Sequence, residues 1–123
     1  MNTQEIANQL VELCRTGNYD EAHKALYSEN AVSIEPKGAA VEMTEGIEGI
    51  KEKGKQWGAM VQEVHSSVIS DPIVAGNNFA VTMIMDITFK EMGRTKMEEV
   101  CVYETANGKI TKEQFFYPTQ ANG

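Results

Sequence analysis

A chain of 123 residues, 41% apolar and 24% charged, forms one globular domain (1–123), long enough to bury a single core and too short for two. Its net charge of −7, with no basic cluster to neutralise phosphates, argues against nucleic-acid or anionic-membrane surfaces and leaves small uncharged ligands open. Cys14 and Cys101 lack metal-knuckle spacing and read as buried thiols, and Met1-Asn2-Thr3-Gln4-Glu5 has no basic or apolar leader, so a cytoplasmic protein without a membrane span is expected.

Asn2 and Glu5 have capping-box spacing, and Ile6, Leu10 and Leu13 with Ala7, Val11 and Cys14 recur at helical intervals up to Gly17, which ends a first helix. Asn18 and Glu21 repeat the capping spacing, and Tyr19, Ala22, Ala25 and Leu26 form the stripe of a short second helix ending near Ser28. Ala31 to Glu35 alternates as a strand, Pro36-Lys37-Gly38 turns it, and Ala40 to Met43 returns as a hairpin. Thr44 is the expected cap of a third helix carrying Ile47, Ile50, Trp57 and Val61 on one stripe. Gly49, Gly54 and Gly58 interrupt it, each costing about 1 kcal/mol relative to Ala, which signals either close backbone packing or an adjustable element.

Val64 to Ala75 alternates imperfectly as a strand broken by Asp71-Pro72, a pair suited to an edge or a bulge. Phe79 to Lys90, Thr95 to Ala106 and Lys109 to Tyr117 then form an antiparallel meander. The loop Glu91-Met92-Gly93 is expected to pair Phe89 with Thr95, and Asn107-Gly108 to pair Ala106 with Lys109. Counting from these pairs puts Phe79, Val81, Met83, Met85 and Ile87 on one face with Met97, Glu99, Cys101 and Tyr103, and with Ile110, Gln114 and Phe116. The opposite face takes Ile84, Asp86, Lys96, Glu98, Val100, Val102, Glu104, Glu113, Phe115 and Tyr117. A one-residue slip at Glu91 to Arg94 would exchange the faces of the first strand.

Three helices with a short hairpin between the second and third, followed by a long meander, resemble the nuclear transport factor 2-like architecture. Ala31-Val32-Ser33-Ile34-Glu35-Pro36, Thr44-Glu45-Gly46-Ile47 and Val102-Tyr103-Glu104-Thr105-Ala106-Asn107-Gly108-Lys109-Ile110 resemble its SnoaL-like, polyketide cyclase-like branch, and the likeness spans essentially the whole chain. It implies an α+β fold, a cone-shaped curved antiparallel sheet covered by three N-terminal helices, with a pocket between them and usually a homodimer. It implies no single activity, since members include cyclases, steroid isomerases, epoxide hydrolases and scaffold proteins. The first-helix tyrosine of the steroid isomerases is missing. The Asp-Arg-Asp arrangement of the epoxide hydrolases has no counterpart, because Arg94 sits in a turn. Glu99 or Asp86 would stand in for the strand carboxylate of the cyclases. The chemistry of the family is generally cofactor-free, so no cofactor is expected.

Glu99 is the sharpest single candidate. Placed inward among Met83, Met85, Met97 and Cys101 it would be desolvated, which raises a carboxyl group toward the working pH of a general acid or base; at the rim it would be solvated or paired with a lysine. Asp86 is placed outward opposite Glu98, and a slipped register would bring it beside Glu99 as a second catalytic carboxylate. Tyr103 and Gln114 point inward by the count and would orient a ligand, or satisfy each other. His65 is a base at the cavity mouth or a surface residue. Trp57, Met60, Met83, Met85, Met97 and Phe116 line an adaptable apolar pocket if the cone is hollow and form core if it is filled. Neither a metal constellation, a phosphate loop nor a nucleophile elbow is present in the sequence. The expected protein binds an apolar, weakly polar small molecule, with isomerase-type or cyclase-type acid/base chemistry; the rival is a non-catalytic ligand-binding or scaffold module. Ile84, Val100, Val102, Phe115 and Tyr117 are the expected homodimer face, rimmed by Lys96, Glu98, Glu104 and Glu113 and open unless the tail Pro118 to Gly123 covers it.

Overall fold

The computed structural model describes residues 1–119. Helices α1 (Thr3–Arg15) and α2 (Tyr19–Leu26) lead directly into β1 (Tyr27–Ile34), followed by β2 (Met43–Glu45), α3 (Ile47–Met60) and β3 (Val61–Ile69). Four further strands complete the chain: β4 (Ile73–Ala75), β5 (Asn78–Phe89), β6 (Gly93–Ala106) and β7 (Lys109–Phe116). They form one curved seven-stranded sheet in the order β2-β1-β7-β6-β5-β3, with β4 also pairing β5. The pairing of β1 with β7 is parallel, so the sheet is mixed rather than wholly antiparallel. Among the described residues no helix is long and apolar enough to cross a membrane.

The Asn2–Glu5 capping box opens α1, with Glu5 N donating to Asn2 Oδ1 at 2.8 Å and Asn2 N donating to Glu5 Oε1 at 2.9 Å. Its apolar stripe Ile6, Ala7, Leu10, Val11 and Cys14 is buried on the sheet. Asn18 makes no side-chain cap for α2; its amide donates instead to Thr16 Oγ1 at 2.7 Å. The return strand of the first hairpin is Met43–Glu45, later than expected, because Pro36 to Glu42 forms a wide loop closed by Glu35 N donating to Glu42 O at 2.9 Å. Thr44 therefore lies in β2 rather than capping α3, and Gly46, at φ 86°, is the residue before the helix. The helix glycines divide by role. A Cβ on Gly49 would meet Thr44 Cγ2 at 2.8 Å, so this one serves close packing. Gly58 has nothing within 4 Å, and Gly54 meets only His23 Cε1 at 3.4 Å.

The break at Asp71-Pro72 separates β3 from β4, and both pair with β5. Arg15 braces it, donating to Ile69 O at 3.1 and 2.8 Å and to Asp71 Oδ1 at 2.9 Å. In the meander, Phe89 pairs with Gly93 rather than with Thr95, because Gly93 takes φ 80° and closes the turn two residues earlier. A shift of two preserves every face, so Met83 lies opposite Glu99, Met85 opposite Met97, and Asp86 opposite Lys96 rather than opposite Glu98. Ala106 does pair with Lys109, but the register then shifts by one: Thr105 lies opposite Ile110 and Glu104 opposite Lys112. Thr111 is the extra residue, its hydroxyl donating to Glu104 O at 3.2 Å. Beyond it the faces of β7 exchange. Glu113 and Phe115, opposite Tyr103 and Cys101, lie inward, while Gln114 and Phe116, opposite Val102 and Val100, lie outward.

Two separate apolar clusters fill the inner face. The larger packs α1, α2 and Ile50 onto Phe79, Val81, Met83, Cys101, Tyr103 and Ile110. The smaller joins Met85, Ile87 and Phe89 to Trp57, Val61 and Met97. Glu99 lies on β6 between Met97 of the second cluster and Cys101 of the first.

Candidate functional site

Alternation on β1 turns Ala31 and Ser33 to one side, with Glu35 just past the strand's end, and the bulge at Thr111 turns Glu113 toward them across the parallel β1–β7 pair. Tyr27 donates its hydroxyl to Glu113 Oε1, and Ser33 donates to Glu113 Oε2 at 2.7 Å. Lys53, from the middle of α3, donates to Ser33 Oγ at 2.5 Å and pairs with Glu35 Oε1 at 3.4 Å. Its ammonium also lies 5.3 Å from the centroid of the Phe115 ring. Burial and the neighbouring Glu35 carboxylate, which also accepts a hydrogen bond from it, hold the Tyr117 hydroxyl well above the usual phenol range. Burial pushes the Glu113 carboxyl upward, opposed by the Tyr27 and Ser33 hydrogen bonds and by Lys53.

Glu99 adjoins this network. The Cys101 thiol donates to its Oε1 at 3.5 Å, and desolvation pushes the carboxyl up to about 7, helped by the charges of Glu35 and Glu113 and opposed by the thiol and Lys53. The tyrosines Tyr19 and Tyr117 are close enough to feel its charge. Tyr19 is pushed up to about 12, mainly by burial. Three carboxyl groups thus share one ammonium, and one of them exchanges its proton near neutral pH. Such a group takes a proton from, or returns one to, a weak carbon or oxygen acid with little mismatch.

The other expected site residues scatter. Asp86 lies on the outer face, held by Arg94 at 3.0 and 2.8 Å, and its carboxyl is pulled down chiefly by that hydrogen bond. It makes no pair with Glu99. His65 also faces outward, its Nε2 2.6 Å from Thr88 Oγ1 and its Nδ1 3.2 Å from Glu63. Tyr103 is buried in the core, stacked on Phe79 at 4.7 Å. Met83 and Met85 are buried, while Met97 and Trp57 are partly buried in the second cluster, where Trp57 meets Phe89 edge-on at 6.3 Å. Met60 is 50% exposed at the end of α3, away from the apolar floor. Gln114 and Phe116 are outward for the reason given above, and Phe116 is 48% exposed. Tyr27, Ser33, Glu35 and Lys53 join the site without being among its expected residues, and Glu113 joins it from the expected outer rim. One signal for Glu113 was available, because Ile110 and Phe115 are both apolar at an odd separation, which a period of two cannot bury on one face without an extra residue between them.

Concave space is limited. The two best-formed concavities are open grooves of about 250 and 260 Å³. One lies on the outer face beside the end of β7, where Thr82, Ile84, Glu98, Val100 and Phe116 line it and Glu99 touches it next to Tyr117 and Pro118, and the other lies between α1 and α2. No cluster of three or more His, Cys, Asp or Glu side chains among the described residues is placed to hold a metal ion.

A curved sheet closed by three helices is the cystatin-like, nuclear transport factor 2-like class of α+β fold. Within that class the chain belongs to the SnoaL-like domain family, whose pattern it matches over residues 1–117. A solved structure from Mesorhizobium loti, assigned as a SnoaL-like polyketide cyclase, is 33% identical over 95% of this chain and 100% of its own, with a TM-score of 0.89. A protein of unknown function with a cystatin-like fold from Xanthomonas campestris shares 18% identity over 99% of this chain and 95% of its own, at a TM-score of 0.81. A Bacillus subtilis protein assigned as an isomerase shares 21% over 96% and 90%, at 0.74. The last two show the fold alone. No curated protein matches the chain.

Proposed function

We propose that this protein binds a small, largely apolar molecule on the concave face of the sheet and moves a proton on it without a cofactor, as an isomerase or cyclase does, with Glu99 as the acid/base group. The observation that carries this reading is the Glu99 carboxyl at about 7, set between two apolar clusters and beside a lysine, two further carboxylates and two tyrosines. Lys53 and Tyr117 would hold the polar end of the ligand, and Met85, Met97 and Trp57 its apolar body. The assignment of the Mesorhizobium loti relative as a polyketide cyclase supports a polyketide-like substrate. A thermal-shift screen of such compounds, followed by turnover assays on the hits, tests this reading. Glu99→Gln is expected to retain binding and to lose at least about a hundredfold in turnover, the usual scale for a general acid or base. Hits that bind without turnover in the wild type would instead make this a non-catalytic binding module.

The same reading takes the protein as a homodimer through the outer face. Val68 lies opposite Ile84 there, and Val100 lies opposite Thr82 and Phe116, which puts an exposed apolar row across β3, β5, β6 and β7. Phe116 takes the place in this patch expected of Phe115 and Tyr117, and Glu113 leaves its rim for the interior. The C-terminal part of the tail considered as a cover lies outside the described residues. In light scattering coupled to size-exclusion chromatography, the wild type is expected at twice 13.6 kDa and Val100→Lys as a monomer. A wild-type monomer at micromolar concentration would overturn the dimer.

A further inference from the structure

The second half of α3 is held far more loosely than the first. In the first half Ile50 is buried, Gly49 packs tightly on Thr44, and Lys53 is tied to Ser33 and Glu35. From Gly54 to Met60 every residue except Trp57 is exposed, and two of the seven are glycines with room for a Cβ. At the far end, Lys90 N donates to Met60 O at 2.9 Å. The segment is a strap fixed at both ends and pressed onto the sheet by one indole.

What lies beneath it is the smaller apolar cluster. Met85, Ile87 and Phe89 are buried there under Trp57, and neither of the two grooves described above lies at this place. This cluster is separate from the main core, so uncovering it leaves the larger cluster intact. Two methionines on its floor, Met85 and Met97, are unbranched and repack around a guest.

We propose that the Gly54 to Met60 half of α3 unwinds transiently to uncover the Trp57 cluster, and that a flat, uncharged aromatic ligand enters the concave face only through this opened form. The inference rests on the small-molecule reading above and gives it a door. Both glycines keep helical backbone with no positive φ, so alanine fits the closed helix at each. Alanine also favours the helix over the unwound strap by about 1 kcal/mol per site, so the double variant Gly54→Ala/Gly58→Ala is expected to lower the open population about thirtyfold.

Three measurements test this. Hydrogen exchange of the Lys55 to Ala59 amides is expected to slow about thirtyfold in the double variant. Acrylamide quenching of Trp57, the only tryptophan in the chain, is expected to fall with it. The saturating rate of Nile red uptake is expected to drop by the same factor, with the dissociation rate of the bound dye falling less. Lys53→Met, which frees the hinge end of the strap, is expected to shift all three the other way. Exchange that does not slow would overturn the unwinding, and slowed exchange with an unchanged uptake rate would overturn its role as the entry. Absence of any dye binding would sink the small-molecule reading, while exchange and quenching would still decide the motion of the helix.

Discussion

Glu113→Ala is expected to destabilise the sheet strongly although it removes no apolar core side chain. It removes the acceptor for the hydroxyls of Tyr27 and Ser33 inside the protein and leaves Lys53 with one carboxylate fewer. A buried donor stripped of its partner costs about 1–3 kcal/mol, and breaking a buried charged network by removing one member costs about 3–5 kcal/mol. The relief of desolvating one carboxylate offsets part of this, so a net loss of about 3 kcal/mol is expected, read as a fall of roughly 10 °C or more in melting temperature for a domain of this size. Glu113→Gln keeps the shape and one acceptor but turns an amide donor toward either Tyr27 or Ser33; about half the loss is expected. A melting temperature within 2 or 3 °C of wild type for Glu113→Ala would show that the network is dispensable to the fold.

Glu99→Gln is expected to do the opposite, and only above a certain pH. The folded carboxyl titrates at about 7, above the 4.5 ordinary for a glutamate, so between those values the folded chain binds more protons than the unfolded one. The protonated side chain contributes stability that is fully present below 4.5 and is lost as pH rises through 7. Glutamine mimics the protonated form at every pH. The variant should therefore match wild type near pH 4 and exceed it at pH 8, by about 2 kcal/mol once partial solvent access is discounted. Urea titrations at the two pH values check this, and a constant difference between the proteins would place Glu99 in a solvated setting. Together with the expected loss of turnover, this would make Glu99 a residue that the fold tolerates at a cost in stability for the sake of its chemistry.

The parts of this fold that were legible in the sequence were those set by local chemistry. The capping box of α1, the Asn107-Gly108 turn and the inward row from Phe79 to Ile87 all follow from spacing within a few residues. Glu99 could be placed inward because the error at the Glu91 turn was an even number of residues. The rest of the site was hidden for two reasons. One added residue at Thr111 reversed Glu113, Gln114, Phe115 and Phe116, and counting from a hairpin carries no warning of a bulge beyond it. Ala31 and Ser33 alternate plainly on β1, with Glu35 just beyond it, but no short-range signal says that this strand pairs with β7, some eighty residues later. Chemistry assembled from distant strands is a property of topology, which periodicity does not encode.

That parallel pairing also sets an order of events during synthesis. Among the described residues β7 comes after every other strand in the chain, and it is the one that sits between β1 and β6. Until it arrives, β1 with its short partner β2 has no neighbour on its other edge, and β6 offers a bare row of amides and carbonyls. The helices and the β5–β6 hairpin can form while the chain grows, but Ser33 and Lys53 meet Glu113 only after β7 has emerged. A nascent chain stalled after Ala106 would leave β1 and β6 each with an unpaired edge and would lack Glu113, and the insertion of one strand would then close the sheet and complete the carboxylate network in the same step.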